Sequence, residues 1–474
     1  MKYSTKYIAA TLVVISLWSC KVQKVSTVNK VSTPEIFRGG EEYDPGTSIG
    51  KLTWEEFFKD EQLQKLISKA IENNVDMVVA LKNIEISRLY LKQAKAGYQP
   101  KLMLNAKAST SNPSDYSFTG MSLEQFLGTK HQEDYMLYGT LSWEADIWGK
   151  IKNRKATALS DYVSQEETKK AVQTQIISDV AKGYYALILL NQLKAIAEQN
   201  LALSEKTMMT VKNQYDEVGD ATFLAYEQSA AQKLTAEALI PEYKKNIKIQ
   251  ENAIQALCGN FPDVVITNEI SSYEDIFTDS LTVGIPAELL SLRPDVKQAE
   301  LMVRKAFHTS KARKASMYPS FSISAEAGIG ALKASNWFNL PGSVLTVLTA
   351  GITQPVLNHR QLKTQYEVSV LEHEKLEAQF KQIVINAVGE VSDAMITIKE
   401  ISNKEKSVTE KNNRLKNAVK NAHYIFDAGE ATYLEVISAE NNLLNSDIEL
   451  AQLKNDKLNA VIQLYRSLGG GWKN

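Results

Sequence analysis

The sequence predicts a mainly α-helical chain that carries a small transmembrane β-sheet and is built as two copies of one unit. Three observations predict this class. An internal repeat has a period of roughly 200 residues, far too long for a solenoid. Proline-bounded stretches alternate polar and apolar residues over about ten positions. Between them run long helical patterns with a coiled-coil rhythm.

The repeat fixes the frame. Asp76, Ala80, Ala96 and Pro100 return 219 residues later as Asp295, Ala299, Ala315 and Pro319. Gly219-Asp220-Ala221-Thr222-Phe223-Leu224 returns 210 residues later as Gly429-Glu430-Ala431-Thr432-Tyr433-Leu434. The smaller offset places a deletion between the two anchors of the second copy, where a hairpin loop best tolerates it. The copies cover 54–259 and 285–469.

Each copy has the same internal order. A helix comes first, Ala70 to Lys95 or Pro294 to Ser316. Asn74 or Asp76 can cap the first, and Pro294 suits the opening turn of the second. Pro100 or Pro319 then stops the helix and a hairpin begins, over 100–147 and 319–355. In the first, Leu102, Leu104, Ala106 and Ala108 alternate with Lys101, Met103, Asn105 and Lys107. The returning strand sets Leu137, Leu141, Trp143, Ala145 and Ile147 against Tyr138, Thr140, Ser142, Glu144 and Asp146. In the second, Phe321, Ile323, Ala325 and Ala327 oppose Ser320, Ser322, Ser324 and Glu326, while the return from Leu345 to Gln354 alternates less cleanly. The loops 109–134 and 329–344 close the two hairpins. A soluble sandwich with one wet face would share the alternation. A strand of about ten residues also crosses a tilted bilayer path, but four strands cannot close a barrel whose smallest form has about eight. Several chains must contribute.

After each hairpin a long helix follows. From Ala156 to Glu217 there is one glycine, Gly183, and no proline. Val384, Val388, Val391, Met395 and Ile398 recur in steps of four and three, as do Leu444, Ile448, Ala451, Leu458, Ile462 and Tyr465, with Asn455 at a seam position. Such stripes bury helix against helix. Gly219-Asp220 and Gly429-Glu430 read as sharp turns between long helices.

The N-terminus reads as a secretion signal over 1–19. Lys2 and Lys6 precede an apolar run from Ile8 to Leu17. Leu17-Trp18-Ser19-Cys20 resembles the bacterial lipoprotein box, which implies acyl chains on Cys20; an ordinary signal with a chance cysteine is the alternative. Cys258, the other of 2 cysteines, lies in an apolar helical pattern and reads as packing. Lys+Arg number 54 and Asp+Glu 55, so no polycationic surface argues for nucleic acid. The 5 histidines, His131, His308, His359, His373 and His423, show no metal-ligand spacing. A phosphate-loop motif is missing from the sequence. Neither an enzyme, a metal site nor a cofactor is expected.

Four segments resemble one family. They are Ile285 to Glu300 with its Leu292-Arg293-Pro294-Asp295 centre; Trp143-Glu144-Ala145-Asp146-Ile147-Trp148-Gly149; its looser counterpart Gln354-Pro355-Val356-Leu357-Asn358; and Leu468-Gly469-Gly470-Gly471-Trp472. The family is the outer membrane factors, the TolC-like efflux ducts, in the lipoprotein branch of the OprM and NodT type. The resemblance spans essentially the whole mature chain. It implies a homotrimer, with a twelve-stranded barrel in the outer membrane and a periplasmic tunnel of long coiled-coil helices. A belt would draw on residues around Tyr43 to Phe58, within the N-terminal tether and equatorial segment 20–69, on Gly259 to Pro286, spanning the equatorial linker 260–284, and on the C-terminus with its tail 470–474. A periplasmic adaptor and an inner-membrane pump would be the partners, the adaptor meeting the tips at Gly219, Asp220, Ala221, Thr222 and Gly429, Glu430, Ala431, Thr432. Relatives of this branch pinch the tunnel with a leucine, an acid and an arginine, one, five and eight residues after the aromatic that follows the turn. The matching positions here are Leu434, Ser438 and Asn441, and in the first copy Leu224, Gln228 and Ala231. The ion pair has no counterpart. Glu440, two residues past Ser438, should point about 200° away. The same duct could serve polypeptide secretion, and a lipid-tethered coiled-coil spacer is the structural rival.

Overall fold

The computed structural model describes residues 31–39, 48–128, 130–218, 221–268 and 282–473. The expected signal segment and Cys20 lie outside them. Asp60 opens helix α1 (Glu61–Asn73), its carboxylate accepting the Gln62 and Leu63 N–H groups at 2.8 and 3.2 Å. Asn74 ends α1 and starts α2 (Val75–Ala96), its Oδ1 accepting the Asp76 N–H at 2.8 Å. One helix from Ala70 is therefore corrected to two, because Asn74 adopts an extended backbone and serves as a cap.

Strand β1 (Lys101–Ser111) leads through helix α3 (Phe118–Leu127) to β2 (Gln132–Ala145). The sequence predicts only a loop over 109–134. Ser117 caps α3 and Gly128 ends it at φ 64°. Ile147, assigned to the strand face, lies past the end of β2 in the turn before the next helix. The shorter second connection joins β3 (Ser320–Ala331) to β4 (Val344–Thr353).

The four strands form one antiparallel sheet in the order β1-β2-β3-β4. The register puts Leu102 opposite Leu141, Leu141 opposite Ala325, and Ala325 opposite Leu348. The rows Ala106–Leu137–Ile329–Val344 and Trp143–Ile323–Ala350 fall on the same side. Lys101, Met103, Asn105, Tyr138, Ser324 and Thr349 share the other side. Thus the apolar sets of separate strands merge into one continuous face. Among the described residues nothing covers that face: Leu102 is 73% exposed, Leu104 78% and Leu348 78%. A sandwich would have covered it.

Helix α4 (Lys150–Asn213) begins at Gly149, whose φ is 73°. The Asp146 carboxylate accepts the Ile151 and Lys152 N–H groups, both at 2.8 Å. The acid of the Trp143–Gly149 motif is therefore an anchor for a helix N-terminus. Helix α5 (Phe223–Leu257) returns, and α6 (Pro294–Ala315) opens the second copy. Helix α7 (Gln361–Asp427) follows Arg360, held at φ 60° without a glycine, and α8 (Tyr433–Ser467) returns. With 64 and 67 residues, α4 and α7 each run about 100 Å at ~1.5 Å per residue. Helix α4 starts earlier than the expected Ala156 because Asp146 and Gly149 organise its first turn. The seam residues Val384, Val391, Met395, Ala451, Asn455, Leu458, Ile462 and Tyr465 are buried. Cys258 is buried too, and burial pushes its thiol above the ordinary value.

Candidate functional site

Three distant stretches converge midway along the helices. Phe57 stacks on Tyr465 with centroids 3.9 Å apart, and the Tyr465 hydroxyl donates to Leu52 O at 3.0 Å. Ile49 N–H donates to Thr282 O at 2.9 Å. The C-terminal ending closes on the Leu292–Asp295 motif: Trp472 Nε1 donates to Leu292 O at 2.9 Å. At Gly469, φ is 85° and a Cβ would stand 2.6 Å from Leu292 O, so only glycine fits. Arg293 is buried and forks onto Asp295 through two hydrogen bonds, at 3.0 and 2.7 Å, and onto Glu390 at 2.7 Å. It also donates to Ser467 O at 3.2 Å. Burial alone would raise the Asp295 carboxyl, but the hydrogen bonds and charge of Arg293 outweigh it and hold the acid below its usual range. Two recognised motifs thus turn out to be one contact, which spacing along the chain could not reveal.

The far end is a helical tip with its own small core of Val211, Ala225, Ala422, Phe426 and Val436, against which Ala221 and Ala431 pack. Gly219 and Asp220 lie outside the described residues. Thr222 caps α5 through a hydrogen bond from Ala225 N–H at 3.1 Å. Gly429 sits at φ 74°, and Glu430 N–H donates to Ile425 O at 2.9 Å, the hydrogen bond of a left-handed helix terminus. Glu435 accepts the Thr432 N–H at 2.9 Å and completes the next cap.

Leu434, Ser438 and Asn441, with Leu224 and Gln228, lie just inside this turn. Leu434 is 61% exposed, and Leu224, Gln228 and Ser438 are exposed as well. Tyr433 donates its hydroxyl to Gln228, and Gln232 Nε2 donates to Asn441 Oδ1 at 2.6 Å. Neutral hydrogen bonds therefore join α5 to α8 where the ion pair is missing. Glu440 does point away from Ser438. It is buried between helices, a placement whose partners the sequence reading missed. Thr207 Oγ1 donates to its Oε1 at 2.7 Å, and His423 Nε2 lies 2.9 Å from that oxygen.

An open sheet with one bare apolar face, continued by helices about 100 Å long, defines a component of a membrane-spanning duct. The model of the outer membrane efflux protein family matches residues 66–260 and 285–470. The chain belongs to that family. It is 28% identical over 444 residues to the solvent efflux pump outer membrane protein SrpC of Pseudomonas putida, covering 91% of this chain and 90% of the relative. The cation efflux system protein CusC of Escherichia coli is 24% identical over 426 residues, covering 89% and 88%. Among solved structures, the outer-membrane channel OprN superposes with TM-score 0.84 at 20% identity, over 94% of this chain and 100% of that one. The open state of the Neisseria gonorrhoeae MtrE channel superposes with TM-score 0.78 at 21% identity, over 96% and 99%. The protein is an outer-membrane efflux channel component.

Proposed function

We propose that three copies of this chain form the passive exit duct of a tripartite efflux system, receiving small molecules from a periplasmic adaptor and an inner-membrane pump. The observation that carries this reading is the sheet: four strands, one continuous apolar face and, among the described residues, no cover on that face and no pairing at the outer edges of β1 and β4. Two copies would give eight strands, and a barrel of about eight is just wide enough to be filled by its own side chains. Three copies give twelve and leave a lumen. The apolar face meets lipid, and the face with Lys101, Asn105 and Ser324 lines water. Relatives named for solvent and cation efflux support small cargo over polypeptides. A tethered spacer would have no use for the sheet.

In this reading Cys20 carries acyl chains that add to the barrel's hold on the membrane. The turns at 219–222 and 429–432 are the docking tips. Leu434, Ser438 and Asn441, with Leu224 and Gln228, form the periplasmic constriction, closed by apolar contact and neutral hydrogen bonds. The protein conducts passively and catalyses no reaction. Planar-bilayer recording of the purified protein tests this: discrete conductance steps are expected, and their absence under conditions where the protein inserts would refute the duct.

A further inference from the structure

One helical turn beyond Val436 on α8, a polar layer lies buried at the tip. Glu440 is 1% exposed there, and its Oε2 makes no hydrogen bond. Its Oε1 takes the Thr207 hydroxyl from α4 and faces His423 from α7 at ion-pair distance. The layer therefore ties the first hairpin, through α4, to the second, through α7 and α8. Other charges on these helices turn outward: Glu205 and Lys206 on α4, Lys420 and Asp427 on α7, and Glu435 on α8 are exposed. On α5, Lys233 pairs with Glu237 at 2.7 Å. Among the described residues, no charged side chain besides His423 makes an ion pair or hydrogen bond with Glu440. A carboxylate in such a place costs stability unless it is paired, and an apolar residue would have packed there without that cost.

We propose that the Glu440–His423–Thr207 layer is a proton-operated latch between the two hairpins, tightening the closed tip as pH falls and releasing it as pH rises. The inference rests on the tip being the gated end of the duct. A proton on the Glu440 carboxyl leaves it an uncharged acid in the closed layer. Removing that proton leaves an anion enclosed, with one oxygen unpartnered. Separating the hairpins would give both groups to water, which solvates the free carboxylate. The closed tip therefore holds a proton that the open tip releases, and closing is favoured by acid. Burial, the largest influence on Glu440, raises its carboxyl above the ordinary value, while Thr207 and His423 act against this. A raised closed-state value has the same sign: its contribution is complete below the ordinary carboxylate range and lost as pH rises through the raised value.

The test uses the purified protein in mild detergent, at about pH 5 and about pH 8, both above the ordinary glutamate value. Hydrogen exchange of tip amides in 203–213 and 419–427, corrected for intrinsic chemistry, reads the latch directly. Bilayer conductance reads the gate. The wild type should exchange more slowly and conduct less at the lower pH. Each unit between closed-state and open-state values changes the closing equilibrium about tenfold. Glu440→Gln, fixed in the neutral form, should lose the pH response in both readouts. If that variant does not assemble, Glu440→Leu, apolar and without a titratable group at the same place, makes the same comparison. A wild type with no pH response, or a variant that keeps the full response, overturns the latch. Absence of any conductance would refute the duct alone, because the exchange measurement still decides the latch.

Discussion

Leu434 and Ser438 stand one turn apart on α8, both exposed, on a helix whose other side is packed. At this scale the proposed constriction makes a sharp prediction. Leu434→Ala should raise the resting single-channel conductance, whereas Ser438→Ala and Asn441→Ala should change it much less. The polar changes remove at most one hydrogen bond each, worth about 0.5–1.5 kcal/mol. If they open the pore and Leu434→Ala does not, the constriction is elsewhere. The sequence could place Glu440 off the lumen by helical geometry alone. It could not supply Thr207 and His423, which are 233 residues before and 17 residues before it on other helices. The Arg293 fork gives a second residue-scale prediction. Arg293 lowers Asp295, so the stabilisation is present above the ordinary aspartate value, about 3.9, and is lost as pH falls through the lowered one. Arg293→Met should depress the thermal midpoint at neutral pH, and the gap to wild type should narrow on acidification below about pH 4. A gap independent of pH would contradict it.

Elements were legible where the chain repeats a simple period. Alternation along β1 to β3 gave the strand faces, and the register shows those faces to be one. Helix α3 was hidden in a connection, although Ser117 and Gly128 bracket it with ordinary capping residues. Asn74 was legible as a cap, but not as the end of a preceding helix, because α1 and α2 are both helical and periodicity alone does not separate them. The strand assignment predicts an asymmetry. Leu104→Arg places a charge on the lipid side at a cost of about 2–4 kcal/mol at mid-bilayer, while Asn105→Arg should cost little. Assembly yield in the outer membrane measures the difference, and equal losses would refute the assigned faces. The turns predict contact. Photocrosslinkers at Ala221 and Ala431 should capture a periplasmic adaptor in cells, and capture only from the belt around Trp472 would count against the tips.

At the scale of the whole molecule, the sequence shows that the chain is incomplete by itself: four strands, long enough to cross a bilayer, cannot close. The structure adds that, among the described residues, nothing covers the sheet's apolar face or pairs with its outer edges. Neither property concerns a single residue, and neither suits a protein that works alone. The number of copies is not written in any local pattern, because it is set by how strongly the sheet curves when its edges meet. A lipid on Cys20 would be one attachment, the barrel's apolar band another. Intact-mass analysis should find acyl mass on Cys20, and an unmodified mature chain starting elsewhere would remove the anchor without touching the barrel. Closure itself is tested most directly by native mass spectrometry of the protein extracted in mild detergent. Three chains per particle are predicted; a monomer that persists under conditions preserving the fold would contradict the closed barrel and the duct with it.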